Sequence, residues 1–172
     1  MRPVDYGLPA CVDRGANDIK ERQVVRKFLT FMALTAAGAL SIGTASAQDP
    51  SAGGDAAKGA IVFKQCMTCH RIGPDAKNLV GPALTGVIGR QSGTAPGFNY
   101  SELNKHAGEA GLVWTNALVY EYLPDPNAFL KKFLTDKGHA DEAKGSTKMT
   151  FKLADEQKRK DVIAYLDTFS KK

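Results

Sequence analysis

Two cysteines and a histidine within five consecutive residues are the side chains of this sequence that most directly indicate chemistry. Cys66 and Cys69 are separated by two residues, and His70 follows at once. This Cys-x-x-Cys-His spacing is the signature for covalent attachment of a c-type haem. The thiols add to the two vinyl groups of the porphyrin, and the adjacent imidazole is then held beneath the ring, where it can bind the iron. The motif therefore predicts one haem c per chain, attached through Cys66 and Cys69, with His70 as an iron ligand.

Two other uses of a Cys-x-x-Cys pair fit this sequence less well. A structural zinc ion needs four nitrogen or sulfur ligands, whereas after Cys69 the sequence has no further cysteine and only two further histidines, His106 and His139. A thioredoxin-like redox site lies in a βαβ pattern, and no such pattern surrounds this pair. Haem attachment is therefore the favoured interpretation.

Met149 is the candidate for the second iron ligand. The methionines of the sequence are Met1, Met32, Met67 and Met149. The first two lie in an expected leader, and Met67 lies between the cysteines and cannot reach the opposite face of the ring. A thioether opposite a histidine favours ferrous iron and raises the reduction potential. Two alternatives stay open from the residues alone: Met149 fills the core, or one of the two later histidines is the second ligand.

An export leader is predicted at the start of the chain. Arg26 and Lys27 precede an apolar run over 28–40, and the small residues at 45 and 47 form a cleavage signal that makes Gln48 the first mature residue. The apolar run is shorter than the ~20 residues of a membrane span, although an uncleaved anchor is the alternative. Export agrees with haem attachment, because the thiols must be reduced outside the cytoplasm, and the predicted location is the periplasm.

These boundaries divide the chain into a leader, 1–47, and one domain, 48–172. The signal peptide is expected at about 24–47, and residues 1–23 lack the shape of an export leader, so our hypothesis for them is an over-long gene call. The mature part is long enough for one domain and too short for two. It has 17 Lys and Arg against 14 Asp and Glu, a small positive excess that does not predict binding to nucleic acid.

The mature part is predicted to be all-α, with short helices and long loops. Capping residues or apolar periodicity predict helices beginning at or near Asp55, Ser101, Thr115, Asp125 and Asp155. The segment 73–98 is rich in glycine and proline and is predicted to form loops. Gly59 inside the first helix lowers helix stability, so its presence predicts a close crossing with another helix. No alternating strand pattern and no internal repeat is present.

Beyond the haem motif, ordered matches along residues 54–172 make the sequence resemble the class I c-type cytochromes, and most closely the cytochrome c2 type. The matching segments are Gly54-Asp55 with Gly59, Phe63, the haem motif, 80–84, Gly89-Arg90, 95–100, Trp114, 121–123, 147–149 and 161–166. The resemblance implies the cytochrome c fold, wrapped around one covalently bound haem. The segments 106–113 and 127–145 are longer than in short members of the family.

The resemblance also implies roles for further residues. The carbonyl of Pro82 is expected to accept a hydrogen bond from Nδ1 of His70. The other implied residues form two sets. The polar partners of the haem propionates are expected to be Arg90, Tyr100 and Trp114. The polar group behind Met149 is expected to consist of Asn104, Tyr122 and Thr147. With the resemblance included, Met149 becomes the preferred second ligand. Gly59 and Phe63 are expected where the first helix crosses the last.

The function predicted from motif and resemblance together is that of a soluble periplasmic one-electron carrier and not an enzyme. Two other classes stay as alternatives: a haem enzyme subunit of the peroxidase or nitrite-reducing type, and a gas-sensing haem protein. The first needs an open iron position or several haems, and the second needs a ligand-free distal side. Only one Cys-x-x-Cys-His is present.

The expected partners are redox proteins with acidic docking surfaces. The resemblance implies a bc1 complex as donor, and a terminal oxidase, photosynthetic reaction centre or dehydrogenase as partner. The chain is expected to be a monomer that contacts membranes only through such complexes. Lysines flank the segments expected around the exposed haem edge, namely Lys64, Lys77, Lys131, Lys132, Lys144, Lys148 and Lys152. Taken singly these are ordinary solvated charges, but together they predict a positive ring that steers the carrier.

Overall fold

Five helices, each begun by a side-chain cap, build the part of the chain that the structure describes. The computed structural model describes residues 49–170, so the predicted leader and its cleavage site at Ala47 lie outside the described residues. The helices are α1 (Ala56–Cys66), α2 (Glu102–Glu109), α3 (Asn116–Tyr122), α4 (Pro126–Asp136) and α5 (Glu156–Asp167). Their caps are Asp55, Ser101, Thr115, Asp125 and Asp155, whose side chains accept hydrogen bonds from first-turn amides. The helix starts predicted from the sequence are confirmed.

The crossing of α1 and α5 is the closest helix contact of the fold. A Cβ on Gly59 would lie 2.0 Å from the carbonyl oxygen of Asp161, so only glycine allows this approach. Next to it, the rings of Phe63 and Tyr165 pack with centroids 5.3 Å apart. The buried carboxylate of Asp161 accepts a hydrogen bond from the backbone amide of Asp55 at 2.9 Å, which joins α5 to the start of α1. The close crossing predicted from Gly59 is therefore present.

Helix α2 ends one turn beyond His106, although this last turn contains a glycine. It continues through Gly108, a residue of low helix propensity, to Glu109. The reason is tertiary, because a Cβ on Gly108 would lie 2.1 Å from the carbonyl oxygen of Ser92. The buried Ser92 hydroxyl also donates to the carbonyl of Asn104 at 3.0 Å. The loop before α2 thus fits closely against the helix and stabilises its last turn.

The core lies between the helices, and the long loops cover its other side. The most deeply buried side chains are aliphatic and come from α2, α4, α5 and the segment after α2: Leu103, Leu112, Leu130, Leu134 and Ile163. Across residues 49–170 the sole strand-like pairing is one isolated antiparallel bridge between Gln91 and Val113. In the same range no helix has the length and apolar character needed to cross a bilayer. The described residues thus form an all-α fold, in which Met149 lies in the loop between α4 and α5.

Candidate functional site

The two cysteines and the histidine lie at the end of α1, where the chain leaves the helix and turns. The amides of Cys69 and His70 both donate to the carbonyl of Cys66, at 3.0 and 2.9 Å, which closes a tight turn over the motif. Both thiols are free and half-buried. Burial raises the pKa of the Cys66 thiol to about 11, so this group is neutral at physiological pH. The turn thus presents two unpaired thiols next to one imidazole.

The imidazole of His70 is held from one side by the loop that follows. Its Nδ1 lies 2.7 Å from the carbonyl oxygen of Pro82, so Nδ1 carries the proton and donates, and Nε2 is left as the atom with a free lone pair. A Cβ on Gly81 would lie 2.4 Å from Cε1 of the same ring, so the loop backbone packs directly against the imidazole. Burial lowers the pKa of His70, which favours the neutral ring. A neutral, oriented imidazole is the form that binds a metal.

Arg90 and Tyr100 form a second polar group next to this loop. A guanidinium nitrogen of Arg90 donates to the carbonyl of Ala83 at 3.0 Å. Burial raises the pKa of the Tyr100 phenol and lowers the pKa of Arg90, although their mutual attraction opposes both shifts. Trp114 is joined to the same place through its backbone, because its amide donates to the carbonyl of Arg90 at 2.9 Å. Arg90 is therefore a neighbour of both Tyr100 and the backbone of Trp114, whereas the Trp114 ring packs against Tyr122 with centroids 4.8 Å apart.

Met149 lies in a loop that buried polar residues support from behind. The hydroxyl of Tyr122 lies 3.5 Å from Sδ of Met149. The Thr147 hydroxyl donates to Oδ1 of Asn104 at 2.9 Å and accepts from the Met149 amide at 3.3 Å. Burial raises the pKa of Tyr122 to about 12, so its hydroxyl keeps the proton that it donates. These four residues form one connected set around the sulfur.

The two histidines that competed with Met149 lie elsewhere, beside the loop after α4. Nδ1 of His106 is 3.5 Å from the carbonyl oxygen of Glu142, and Nδ1 of His139 is 3.4 Å from its carboxylate. Both rings therefore face Glu142, whereas Met149 packs partly against the core. Met149 therefore stays the preferred candidate for the second iron ligand.

The chemistry of these donors fits a c-type haem. The group needs two free thiols for its covalent bonds, an imidazole with a free Nε2, and a soft ligand for the other face of the iron. These groups are present in Cys66, Cys69, His70 and Met149. The backbone at Gly81 lies so close to the imidazole that a Cβ would not fit between them. Arg90 could offer a cation to the propionates, and it lines a cavity of about 430 Å³ that none of these four donors lines. The residues present therefore fit the group.

Comparison with known proteins decides the family. The chain is 74% identical over 117 residues to cytochrome c2 iso-2 of Rhodospirillum centenum, a match that covers 68% of this chain and 97% of the relative. The chain belongs to the cytochrome c2 family. It is a class I c-type cytochrome, an electron carrier whose family binds haem c covalently. No family model matches the chain.

Further relatives of this cytochrome are similar in sequence and in structure. Cytochrome c2 of Rhodopseudomonas palustris is 65% identical over 146 residues, covering 84% of this chain and 99% of the relative. The solved structure of cytochrome c2 from Rhodospirillum centenum superposes with a TM-score of 0.68 at 74% identity, covering 69% of this chain and 100% of that one. The solved ferricytochrome c2 from Rhodopseudomonas palustris gives 0.64 at 68% identity, covering 67% and 99%. The all-α cytochrome c fold is thereby confirmed.

Sequence reasoning missed three residues that support the site of the cytochrome. Asn78 joins two loops, since its amide donates to the carbonyl of Pro96 and its oxygen accepts from the amide of Ala83, both at 2.8 Å. Arg159 is buried and donates to the carbonyls that follow the Met149 loop. Asn127 accepts from the amide of Thr147 at 3.2 Å. Of the three, only Arg159 could have been recognised from the sequence. It lies three residues before Val162, and this spacing places it on the apolar face of α5.

Proposed function

We propose that this cytochrome is a periplasmic one-electron carrier with one haem c, attached through Cys66 and Cys69 and ligated by His70 and Met149. Family membership supplies the electron-carrier role in general terms. The ligand pair, the attachment residues, the single haem and the periplasmic location are the specific content of the proposal. The non-enzymatic character follows from it, since a haem iron with both axial positions held by protein offers no site to a substrate.

One observation carries this proposal: each candidate iron ligand forms a hydrogen bond with another residue, and this bond fixes the position of the ligand. His70 is held through Nδ1 by Pro82 at 2.7 Å. The sulfur of Met149 is held by the hydroxyl of Tyr122 at 3.5 Å. Ligands that are oriented before the metal binds move little when the metal changes its charge. Small movement is what a carrier needs, because reorganisation adds to the barrier for electron transfer.

The residues of the chain contribute orientation and exclusion of water. A bound haem c supplies the electron chemistry, because its iron alternates between the ferrous and ferric states. Pro82 fixes the tautomer of His70 and makes the imidazole a stronger donor. Arg90 and Tyr100 offer a cation and a hydroxyl to carboxylates that would otherwise be costly to bury. The buried rings of Trp114 and Tyr122, whose centroids are 4.8 Å apart, keep water from the side of Met149.

The spectrum of the oxidised holoprotein tests the ligand pair. A thioether-to-iron charge-transfer band is expected, because Met149 is proposed as the ligand opposite His70. A peroxidase-like or nitrite-reducing subunit would have an open position and a high-spin spectrum, and a gas sensor would bind carbon monoxide in its ferrous form without displacing a protein ligand. An oxidised spectrum that lacks the thioether band would overturn the proposal.

We propose that residues 1–47 are removed on export and that the domain 48–172 carries the haem. The match to cytochrome c2 of Rhodopseudomonas palustris supports a shared upstream segment, since its 146 aligned residues exceed the 125 from Gln48 to Lys172. The intact mass of protein isolated from the periplasm should correspond to a chain that begins at Gln48 and carries one haem. A mass that includes the apolar run 28–40 would indicate an anchored form instead.

The proposed partners are redox proteins that present an acidic surface, with a bc1 complex as donor and an oxidase, reaction centre or dehydrogenase as the other partner. The lysines around the site support this assignment. Lys148, next to Met149, is exposed, and its ammonium donates to the carbonyl of Asn99 at 2.5 Å. Within residues 49–170, the salt bridges engage two of the seven lysines predicted to form a ring: Lys132 with Asp136 and Lys152 with Asp125. The other five keep a positive charge that can attract an acidic partner.

A further inference from the structure

Two stretches of the chain run side by side around Met149. The first is the turn from α3 into α4, residues 123–127, and the second is the segment 147–153, which we call the methionine loop. Three hydrogen bonds join them in antiparallel order: the Leu153 amide to the Leu123 carbonyl at 2.8 Å, the Lys152 ammonium to the Asp125 carboxylate at 2.6 Å, and the Thr147 amide to Oδ1 of Asn127 at 3.2 Å. Met149 therefore lies between two fastened ends of a short loop.

The fastening at the two ends differs in kind. After Met149, the loop is held by a backbone hydrogen bond to Leu123 and by Arg159, which is buried and donates to the carbonyl of Ala154 at 2.6 Å. The Lys152 pair is 56% and 39% exposed, and exposed ion pairs contribute little. Before Met149, the backbone of the loop is held by the side chain of Asn127. The backbone of the preceding end thus depends on the amide oxygen of Asn127, and a second amide oxygen, that of Asn104, binds the Thr147 hydroxyl.

Asn127 is itself on a rigid support. It lies in the first turn of α4, between the cap Asp125 and the core residues Leu130 and Leu134, both of which have no exposed surface. Helix α4 packs against α2, the helix that carries the buried Asn104. A hydrogen bond from Thr147 to Asn127 therefore connects the methionine loop to a helix that packs in the core.

Thr147 passes this support on to the ligand. Its amide binds Asn127, its hydroxyl donates to Asn104 at 2.9 Å, and the same hydroxyl accepts from the Met149 amide at 3.3 Å. Thr147 is 8% exposed. If the side chain of Asn127 were removed, the Thr147 amide would lose its acceptor at a place that water hardly reaches. Rotation of Thr147 to recover a hydrogen bond would release the Met149 amide as well.

We propose that Asn127 is a positioning residue for Met149, which holds the methionine loop closed through the amide of Thr147. This inference rests on the proposed ligation of iron by Met149. The proposal gives a function to the start of the long segment 127–145. We call the hydrogen bond from the Thr147 amide to Asn127 the brace, because it holds the loop that carries the proposed ligand. Loss of the brace raises the fraction of molecules in which Met149 has left the iron.

The affinity of imidazole for the ferric holoprotein tests the proposal, because imidazole can bind the iron only when Met149 has left. Removal of one hydrogen bond changes such an equilibrium by about fivefold, so Asn127→Ala should bind imidazole about fivefold more tightly than wild type. Asn127→Asp retains an acceptor oxygen and should stay within about twofold. Asn99→Ala is the matched control, since Asn99 contacts Lys148 through its backbone carbonyl, and its affinity should equal that of wild type.

The outcomes separate this inference from the ligation on which it rests. Global unfolding by denaturant is measured for each variant, because a residue with a merely structural role changes overall stability without changing imidazole affinity. Equal affinity in Asn127→Ala and wild type, or an equal rise in Asn99→Ala, overturns the brace while Met149 stays the ligand. If wild type itself lacks the thioether band, the proposed ligation fails and the brace fails with it.

Discussion

At the scale of single residues, the site is built from side chains that hold other side chains. His70 is oriented by the carbonyl of Pro82, and the sulfur of Met149 lies against the hydroxyl of Tyr122. Attachment and ligation are separate jobs in this arrangement. In the proposed arrangement the two cysteines would form the covalent bonds, whereas Met149 would set the electronic state of the iron. A change at Met149 should therefore alter the iron without releasing the haem.

Met149→Ala is expected to keep covalent haem and to lose the low-spin state with a thioether ligand. The reduction potential should fall, because the soft sulfur that favours ferrous iron is gone, and small ligands should bind the iron. Visible spectra and a redox titration measure both effects. Met67→Ala is the control, since Met67 is 46% exposed and lies in the attachment turn, and its spectrum should match wild type. An unchanged potential in Met149→Ala would contradict the assignment of the ligand.

At the scale of secondary-structure elements, the site depends on the crossing of α1 and α5. Helix α1 carries Cys66 at its end, and α5 begins shortly after the methionine loop. Because these two helices cross at Gly59 without a side chain between them, their backbones are in direct contact. The crossing thus ties the segment that attaches the haem to the segment that follows Met149.

Gly59→Ala should destabilise the protein although alanine is the better helix former. The added Cβ would lie 2.0 Å from a backbone oxygen, and overpacking of this kind costs roughly 2–3 kcal/mol, more than the gain of about 1 kcal/mol in helix propensity. Denaturant unfolding of the holoprotein measures the difference. Gln65→Ala, at an exposed position of the same helix, should change the free energy of unfolding by less than about 0.5 kcal/mol. A stabilised Gly59→Ala would show that the helices are not in contact there.

At the scale of the whole molecule, we expect charge to influence how the carrier meets its partners. The proposed mature part has 17 Lys and Arg against 14 Asp and Glu, a small excess, so orientation should depend on where the lysines lie. Lys132 is 2.5 Å from Asp136, and part of its charge is balanced locally. Lys148, by contrast, bonds to a neutral carbonyl next to the ligand loop. We therefore expect Lys148 to be a lysine that guides an acidic surface to the proposed haem.

Lys148→Glu is expected to slow bimolecular electron transfer to an acidic redox partner several-fold at low ionic strength. The reduction potential should be nearly unchanged, because the substitution alters encounter and not ligation. The difference from wild type should shrink as salt is added, since exposed charges are screened over ~8 Å at physiological ionic strength. Lys132→Glu should also slow the reaction. Stopped-flow measurements over a range of salt concentrations follow these effects.

Lys58→Glu is the control for these reversals. It makes the same change in total charge at the start of α1, where Lys58 lies near Asp55, and it should have the smaller effect on the rate. Equal slowing by Lys58→Glu and Lys148→Glu would mean that total charge, and not the surface around Met149, controls encounter. If the rate of electron transfer changed neither with salt nor with the charge reversals, the docking surface would be apolar.

The features that the sequence alone determined are those whose physics is local. The haem motif is a spacing of five consecutive residues, and its covalent chemistry needs no distant partner. Helix starts were predicted to within a residue because a cap such as Asp125 binds amides of its own first turn. Gly59 predicted a crossing, since glycine inside a helix lowers its stability and suggests a compensating close contact.

The tertiary structure brings together the groups that surround Met149, although the family resemblance had already implied Asn104, Tyr122 and Thr147. Thr147 meets Asn104 across 43 positions of sequence and Asn127 across 20, and nothing local in those side chains distinguishes them from solvated ones. Arg159 differs in that its place on the apolar face of α5 was a local signal, but only the fold shows that its guanidinium is buried by two carbonyls and by the ring of Tyr120 at 4.4 Å. Such contacts form only when loops are closed by packing between helices, so residue types can suggest them but the assembled fold selects the partners.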